Sequence, residues 1–210
     1  TFDELWVYDP ETDVWSVAGH MPFHRCYNGI AALDGEVWNV GGAIYEEDNV
    51  NAKGPRISLT DVDIYDPRSD SWRSGPPLTT ARQEPVILTA GNRVYAIGGV
   101  GPGDETLSST ESVGPGEETW RSEPALPVPM HQYAGCVLDG TIYVVGREGA
   151  YSLTPEADSW ETLPGAPQLP QASQIGAHAG EVWVLGSYKT KEGYRYSPAD
   201  RTWTRAPDLP

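Results

Sequence analysis

The stretch Gly29-Ile30-Ala31-Ala32-Leu33-Asp34-Gly35-Glu36-Val37-Trp38-Asn39-Val40-Gly41-Gly42 decides the fold of this chain. Two largely apolar runs, 29–33 and 36–40, flank Asp34-Gly35, and the second stops at a glycine pair. Asp-Gly between such runs signals a hairpin, because the pair tolerates the positive φ of a type I′ turn. The stretch therefore predicts two antiparallel strands, here termed a and b. The same turn signal recurs as Gly91-Asn92, as Asp139-Gly140 and, in weaker form, as Ala179-Gly180. An aromatic residue stands three places before the glycine that closes each copy: Trp38, Tyr95, Tyr143 and Trp183.

Working outward, two intervals repeat along the chain. Trp15, Trp72, Trp120 and Trp160 each lie 26 residues before a glycine, namely Gly41, Gly98, Gly146 and Gly186, and Trp203 is a fifth copy of the tryptophan. Seven residues before each tryptophan stands a bulky apolar residue: Tyr8, Tyr65, Val113, Leu153 and Tyr196. All length variation falls between the glycine and that residue, in gaps of 24, 15, 7 and 10 residues. Val62-Asp63-Ile64-Tyr65 alternates as a third strand, c. Asp66-Pro67-Arg68-Ser69-Asp70 makes a tight turn, and a fourth strand, d, is centred on Trp72. A period of 40 to 57 residues marks a repeat architecture. Each unit is a four-stranded antiparallel meander whose apolar faces are buried only against neighbouring units.

The composition agrees and excludes several function classes. In 210 residues there are 23 Gly and 19 Pro, with 8 Trp and 11 Tyr against 2 Phe, a mixture suited to half-buried strands separated by turns. No apolar run approaches the length of a membrane-spanning helix, so no membrane insertion is expected. A net charge of −16 argues against broad nucleic-acid binding, which needs a Lys/Arg surface. Cys26 and Cys136 fall in equivalent segments two units apart and are expected as buried free thiols, which favours a reducing, cytoplasmic setting. The chain has no H-E-x-x-H, C-x-x-C, G-x-S-x-G or P-loop motif. His20, His24 and His131 map near one face without a metal-ligand spacing, so neither a metal nor a cofactor is expected.

The glycine pair after strand b, the strings Tyr8-Asp9-Pro10 and Tyr65-Asp66-Pro67 closing strand c, and the tryptophan seven residues after the tyrosine resemble the kelch repeat. The resemblance covers essentially the whole chain. It implies an all-β, kelch-type β-propeller of four-stranded antiparallel blades. Four complete blades are expected (21–77, 78–125, 126–166 and 167–210), with strands c and d of another in 1–20. The expected whole is a six-bladed ring, with further blades or domains of the same polypeptide outside 1–210. The later units depart from the pattern: Gly98-Gly99 is intact, but Gly146-Arg147 and Gly186-Ser187 follow, and Val113 and Leu153 replace the tyrosine.

In such a meander the b/c and d/a connections emerge on one face, which therefore carries every segment of variable length. Loops that vary on a rigid frame are where binding residues usually sit. The longest b/c segment, 43–61, contains Tyr45, Glu46, Glu47, Asp48 and Arg56. By resemblance, strand a lines a central channel and its start opens on this face. The aligned starts are Arg25-Cys26-Tyr27, Arg82-Gln83-Glu84, Met130-His131-Gln132 and Pro170-Gln171-Ala172. Arg25 and Arg82 occupy the arginine position of the family's Pro-x-Arg motif, which implies contact with an acidic peptide and brings in Tyr27 and Glu84 two places later. His131 and Gln132 are the third unit's counterparts. The alternative for both arginines is that they satisfy carbonyl groups of neighbouring loops. The expected function is a non-catalytic recognition module for a protein or peptide. Its alternative is a carbohydrate-acting kelch propeller enzyme, epimerase-like or oxidase-like, using Arg25, Arg82, Glu84 and His131.

Overall fold

In the computed structural model, which describes residues 3–45, 55–167, 174–187 and 190–209, Asp34 and Gly35 have φ of 53° and 79°. Both central residues are left-handed, as a type I′ turn requires. Strand β3 (Gly29–Leu33) pairs antiparallel with β4 (Glu36–Val40) across that turn. Gly91-Asn92, Asp139-Gly140 and Ala179-Gly180 take the same conformation, with every φ between 49° and 78°. They join β9 (Val86–Ala90) to β10 (Arg93–Ile97), β13 (Ala134–Leu138) to β14 (Thr141–Gly146) and β17 (Gln174–His178) to β18 (Glu181–Ser187).

Each hairpin is the first half of a four-stranded antiparallel sheet. The first sheet runs β3-β4-β7-β8, with β7 at Val62–Asp66 and β8 at Ser71–Ser74. The second adds β11 (Thr110–Val113) and β12 (Arg121–Glu123) to β9-β10. The third adds β15 (Gly149–Leu153) and β16 (Glu161–Thr162) to β13-β14. The fourth adds β19 (Thr190–Ser197) and β20 (Thr202–Ala206) to β17-β18. Strands β1 (Glu4–Asp9) and β2 (Val14–His20) form a two-stranded sheet that places Tyr8 opposite Trp15. The first strands lie side by side in the order β3, β9, β13, β17. Among the described residues the row is open, with no strand pairing between its two ends.

Three separate cores fill the spaces between successive sheets. Leu33, Trp38, Val40 and Ile64 of the first sheet meet Ile87, Val94, Val113 and Trp120 of the second. Val86, Tyr95 and Ile97 then meet Ile142, Val144, Tyr151 and Leu153 of the third. Cys136, Tyr143 and Val145 meet Val182, Val184 and Tyr196 of the fourth. The inner sheets thus lose apolar surface to both neighbours, and among the described residues no sheet carries a core of its own.

Strand d differs from the sequence expectation in two units. Trp72 lies inside β8, but Trp120 and Trp160 stand immediately before β12 and β16. The cause lies in strand c. Tyr65 and Tyr196 pack at a tilt against Trp72 and Trp203 with ring centroids 5.1 and 5.0 Å apart. Val113 and Leu153 offer no ring, and their tryptophans turn into the core. There the indole N–H of Trp120 donates to the carbonyl of Pro76 and that of Trp160 to Pro124, both at 2.8 Å. In the first sheet the Tyr65 hydroxyl makes the corresponding tie, donating to Ala18 of β2 at 3.0 Å.

The glycine pairs close the joints between units. Gly42 donates its N–H to the carbonyl of Arg82 in the next unit at 2.8 Å, and Gly99 to that of Met130 at 2.9 Å. A Cβ on Gly99 would lie 2.6 Å from the Gln83 carbonyl oxygen, at a φ of 96°. Gly116 also has positive φ, 73°, but opens onto empty space. Gly99→Ala should therefore cost roughly 3 kcal/mol, and Gly116→Ala only about 1 kcal/mol of left-handed backbone strain. Urea unfolding followed by tryptophan fluorescence measures both; equal losses would mean that the joint tolerates a methyl group.

Candidate functional site

In the first two units strand a is entered from the preceding unit by a short extended segment that forms one bridge to the residue following the glycines. Cys26 bridges Ala43, and Gln83 bridges Val100. The residue before each bridge turns inward. Arg25 donates to the carbonyls of Gly41 and Asp61 at 3.0 and 3.1 Å and to the carboxylate of Asp63. Arg82 donates to the carbonyls of Gly98 and Ser109 at 2.8 and 3.1 Å, and to Glu111 at 2.6 Å. The second oxygen of Glu111 accepts from the N–H and the hydroxyl of Thr79. Both guanidinium groups are sealed from solvent, and each fastens a d/a segment to the b/c junction of its own unit.

The third unit performs the same task without charge. Met130 stands where Arg25 and Arg82 stand, 16 residues before the glycine, and Tyr151 replaces the carboxylate two places before the strand-c apolar residue. Both are buried in one core. A buried ion pair exchanged for two apolar side chains keeps the contact and avoids desolvating two charges. Removing one partner alone leaves the other charge stranded. Arg82→Ala should therefore destabilise the fold by about 3–5 kcal/mol, whereas Arg82→Met combined with Glu111→Tyr should recover most of that loss. Urea titration of the single and double variants makes the comparison.

The residue after each bridge is less buried than the arginine before it. Tyr27, Glu84 and Gln132 hold equivalent places and have φ of 57°, 55° and 51°. Left-handed backbone is uncommon for residues other than glycine and costs about 1–2 kcal/mol at each position. Such strain marks a place to look for function. Glu84 donates its N–H to the carbonyl of Tyr27 at 2.8 Å, linking successive units.

Four of the residues picked out in the sequence converge here. The long b/c segment contains a hairpin, β5 (Ala43–Tyr45) with β6 (Arg56–Ser58), in which Tyr45 lies opposite Arg56. The Arg56 guanidinium sits 4.9 Å from the centre of the exposed Tyr27 ring and 3.7 Å from Glu84. A hydrogen bond with Tyr27, aided by burial, holds the Tyr45 phenol above its usual range. Elsewhere on this face His131 Nδ1 lies 3.2 Å from the Thr106 hydroxyl, and Gln132 is exposed. Glu46, Glu47 and Asp48, with Pro170, Gln171 and Ala172, lie outside the described residues. Among the described residues no three His, Cys, Asp or Glu side chains are placed to hold a metal ion.

Cysteine placement corrects one expectation. Both thiols are free, but only Cys136 is buried. Cys26 occupies a bridging position beside the rim, within reach of Arg56 and Tyr45, and is half-buried. Burial pushes the Cys136 thiol up to about 11. At Cys26, Arg56 and Tyr45 pull against the burial that raises it. A disulfide reagent at pH 8 should thus modify one thiol of the folded protein, lost in Cys26→Ser, and reach the second only on unfolding.

Comparison with known proteins follows the repeat. Residues 24–79 match the family described as Kelch motif. The chain is 30% identical over 223 residues to Kelch-like protein 34 of Homo sapiens, covering 97% of this chain and 34% of that protein. It is 25% identical over 217 residues to Kelch-like protein 25 of Xenopus tropicalis, covering 99% and 37%. Kelch-like protein 23 of Homo sapiens is 29% identical over 211 residues, covering 95% and 36%. The chain thus spans about a third of the length of these curated relatives.

Proposed function

The chain belongs to the kelch-repeat family, and on that footing we propose that it is a non-catalytic recognition module that binds a protein or peptide on the face formed by the d/a and b/c connections. Its four sheets then act as successive blades of a β-propeller, within a ring of six. The observation that supports this best is the meeting of Tyr27, Tyr45, Arg56 and Glu84 from two units at one rim. Tyrosine and arginine are enriched where proteins bind one another, since each offers apolar area with a polar end. The opposite face is built of short turns whose geometry is already used to set strand register.

A carbohydrate-acting enzyme has less support. It would need Arg25 and Arg82 for substrate, and their guanidinium groups are bonded to carbonyls and carboxylates of the chain itself.

Photo-crosslinking distinguishes the faces. A benzophenone amino acid replacing Tyr27 should give protein adducts in cell extract, and the same group at Ser69, in the c/d turn, should not. Adducts from Ser69 alone, or equally from both, would place the partner elsewhere.

A further inference from the structure

We propose that the rim takes a basic ligand: a partner segment whose arginine or lysine displaces Arg56 from the seat formed by the Tyr27 ring and the Glu84 carboxylate. This rests on the recognition function proposed above and adds the chemistry of the partner.

The seat already holds a cation, supplied by the chain itself. Arg56 lies over the Tyr27 ring, but its 3.7 Å approach to Glu84 is too long for a hydrogen bond. Its side chain is 31% exposed, so the pair is weak and exchangeable. Arg82 and Glu111 show the contrast, at 2.6 Å with both side chains sealed.

Glu84 is under-used. Its side chain is 14% exposed, and among the described residues its Oε2 has no hydrogen-bond partner. The adjoining Gln83 is fully buried, and both of its amide atoms also lack partners there. Buried polar atoms without partners are costly; with Oε2 sealed inside, Oε1 is the oxygen that faces Arg56 and the one a ligand's donor would take over when Arg56 leaves. An ammonium or guanidinium group on an alkyl stem fits, since it can rest on the exposed Tyr27 ring while donating to Glu84.

An acidic ligand meets the opposite conditions. Arg25 and Arg82 are committed inside the scaffold, and the chain carries a net charge of −16. That field slows an anionic segment and draws in a cationic one.

Because Arg56 competes for the seat, its removal and that of Glu84 should act in opposite directions. The probes are a fluorescein-labelled Ser/Gly nonapeptide with two arginines and its counterpart with two glutamates, followed by fluorescence anisotropy on the whole chain. The arginine peptide should bind and the glutamate peptide should not. Arg56→Ala should tighten binding by about threefold or more, and Glu84→Gln should weaken it by about tenfold. Circular dichroism checks that both variants are folded. Binding of the arginine peptide that neither substitution changes would reduce the effect to diffuse charge and overturn the proposal, as would binding of neither peptide. Binding of the glutamate peptide that is lost in Arg56→Ala would overturn the basic-ligand proposal while keeping the rim as a recognition surface. Crosslinks from the turn face alone would remove both.

Discussion

A four-stranded sheet with an apolar residue on either side of its backbone has no way to leave water by itself. Here the second and third sheets each give one face to the unit before and one to the unit after, so burial is shared along a row. Everything else in the structure serves that sharing. The glycine pairs let backbones meet at 2.8–2.9 Å across a joint, and the side-chain hydroxyl or indole ties reach the preceding unit. Stability of such an array is a sum of interface contributions between neighbours more than a property of any unit alone.

The joints are made with different chemistry in different units, which shows what geometry each must satisfy. The Tyr65 hydroxyl and the Trp120 and Trp160 indoles supply one donor to a carbonyl of the preceding unit. Arg25 with Asp63, Arg82 with Glu111, and Met130 with Tyr151 occupy one further position as two ion pairs and one apolar pair. Placing charge at the mouth of a unit is thus not by itself a sign of ligand contact. The arginines hold together segments of their own unit, and the exposed side chain is Tyr27, two places after Arg25.

Hairpins were legible in the sequence because their determinants are local: Asp34-Gly35 specifies a turn whatever surrounds it, and strands 29–33 and 36–40 end where the residues say. The tryptophan interval was legible because the path from strand d through a and b has a fixed length. What escaped depends on contacts far along the chain. The loss of the tyrosine at Val113 and Leu153 was visible, but where Trp120 and Trp160 would go instead was not, since the carbonyls that accept their indole N–H belong to Pro76 and Pro124, 44 and 36 residues away. The β5–β6 hairpin has three paired residues on each side and no Asn-Gly or Asp-Gly signal to announce it. At the rim, Tyr27, Tyr45, Arg56 and Glu84 could each be picked from loop position and alignment. Their meeting could not, since Arg56 belongs to a segment whose length differs in every unit. The fate of Arg25 and Arg82 was decidable only once carboxylates were seen two places before the strand-c apolar residues.

The left-handed backbone shared by Tyr27, Glu84 and Gln132 limits what this mouth can become. Side chains branched at Cβ clash with their own backbone at such angles, so valine, isoleucine and threonine are poor choices at all three places. Substitution at these places is confined to glycine and to residues unbranched at Cβ, with asparagine and aspartate the most at home there. The backbone thereby sets these three places apart from the interior: the stiff aliphatic side chains that fill the spaces between the sheets are the ones that fit worst here.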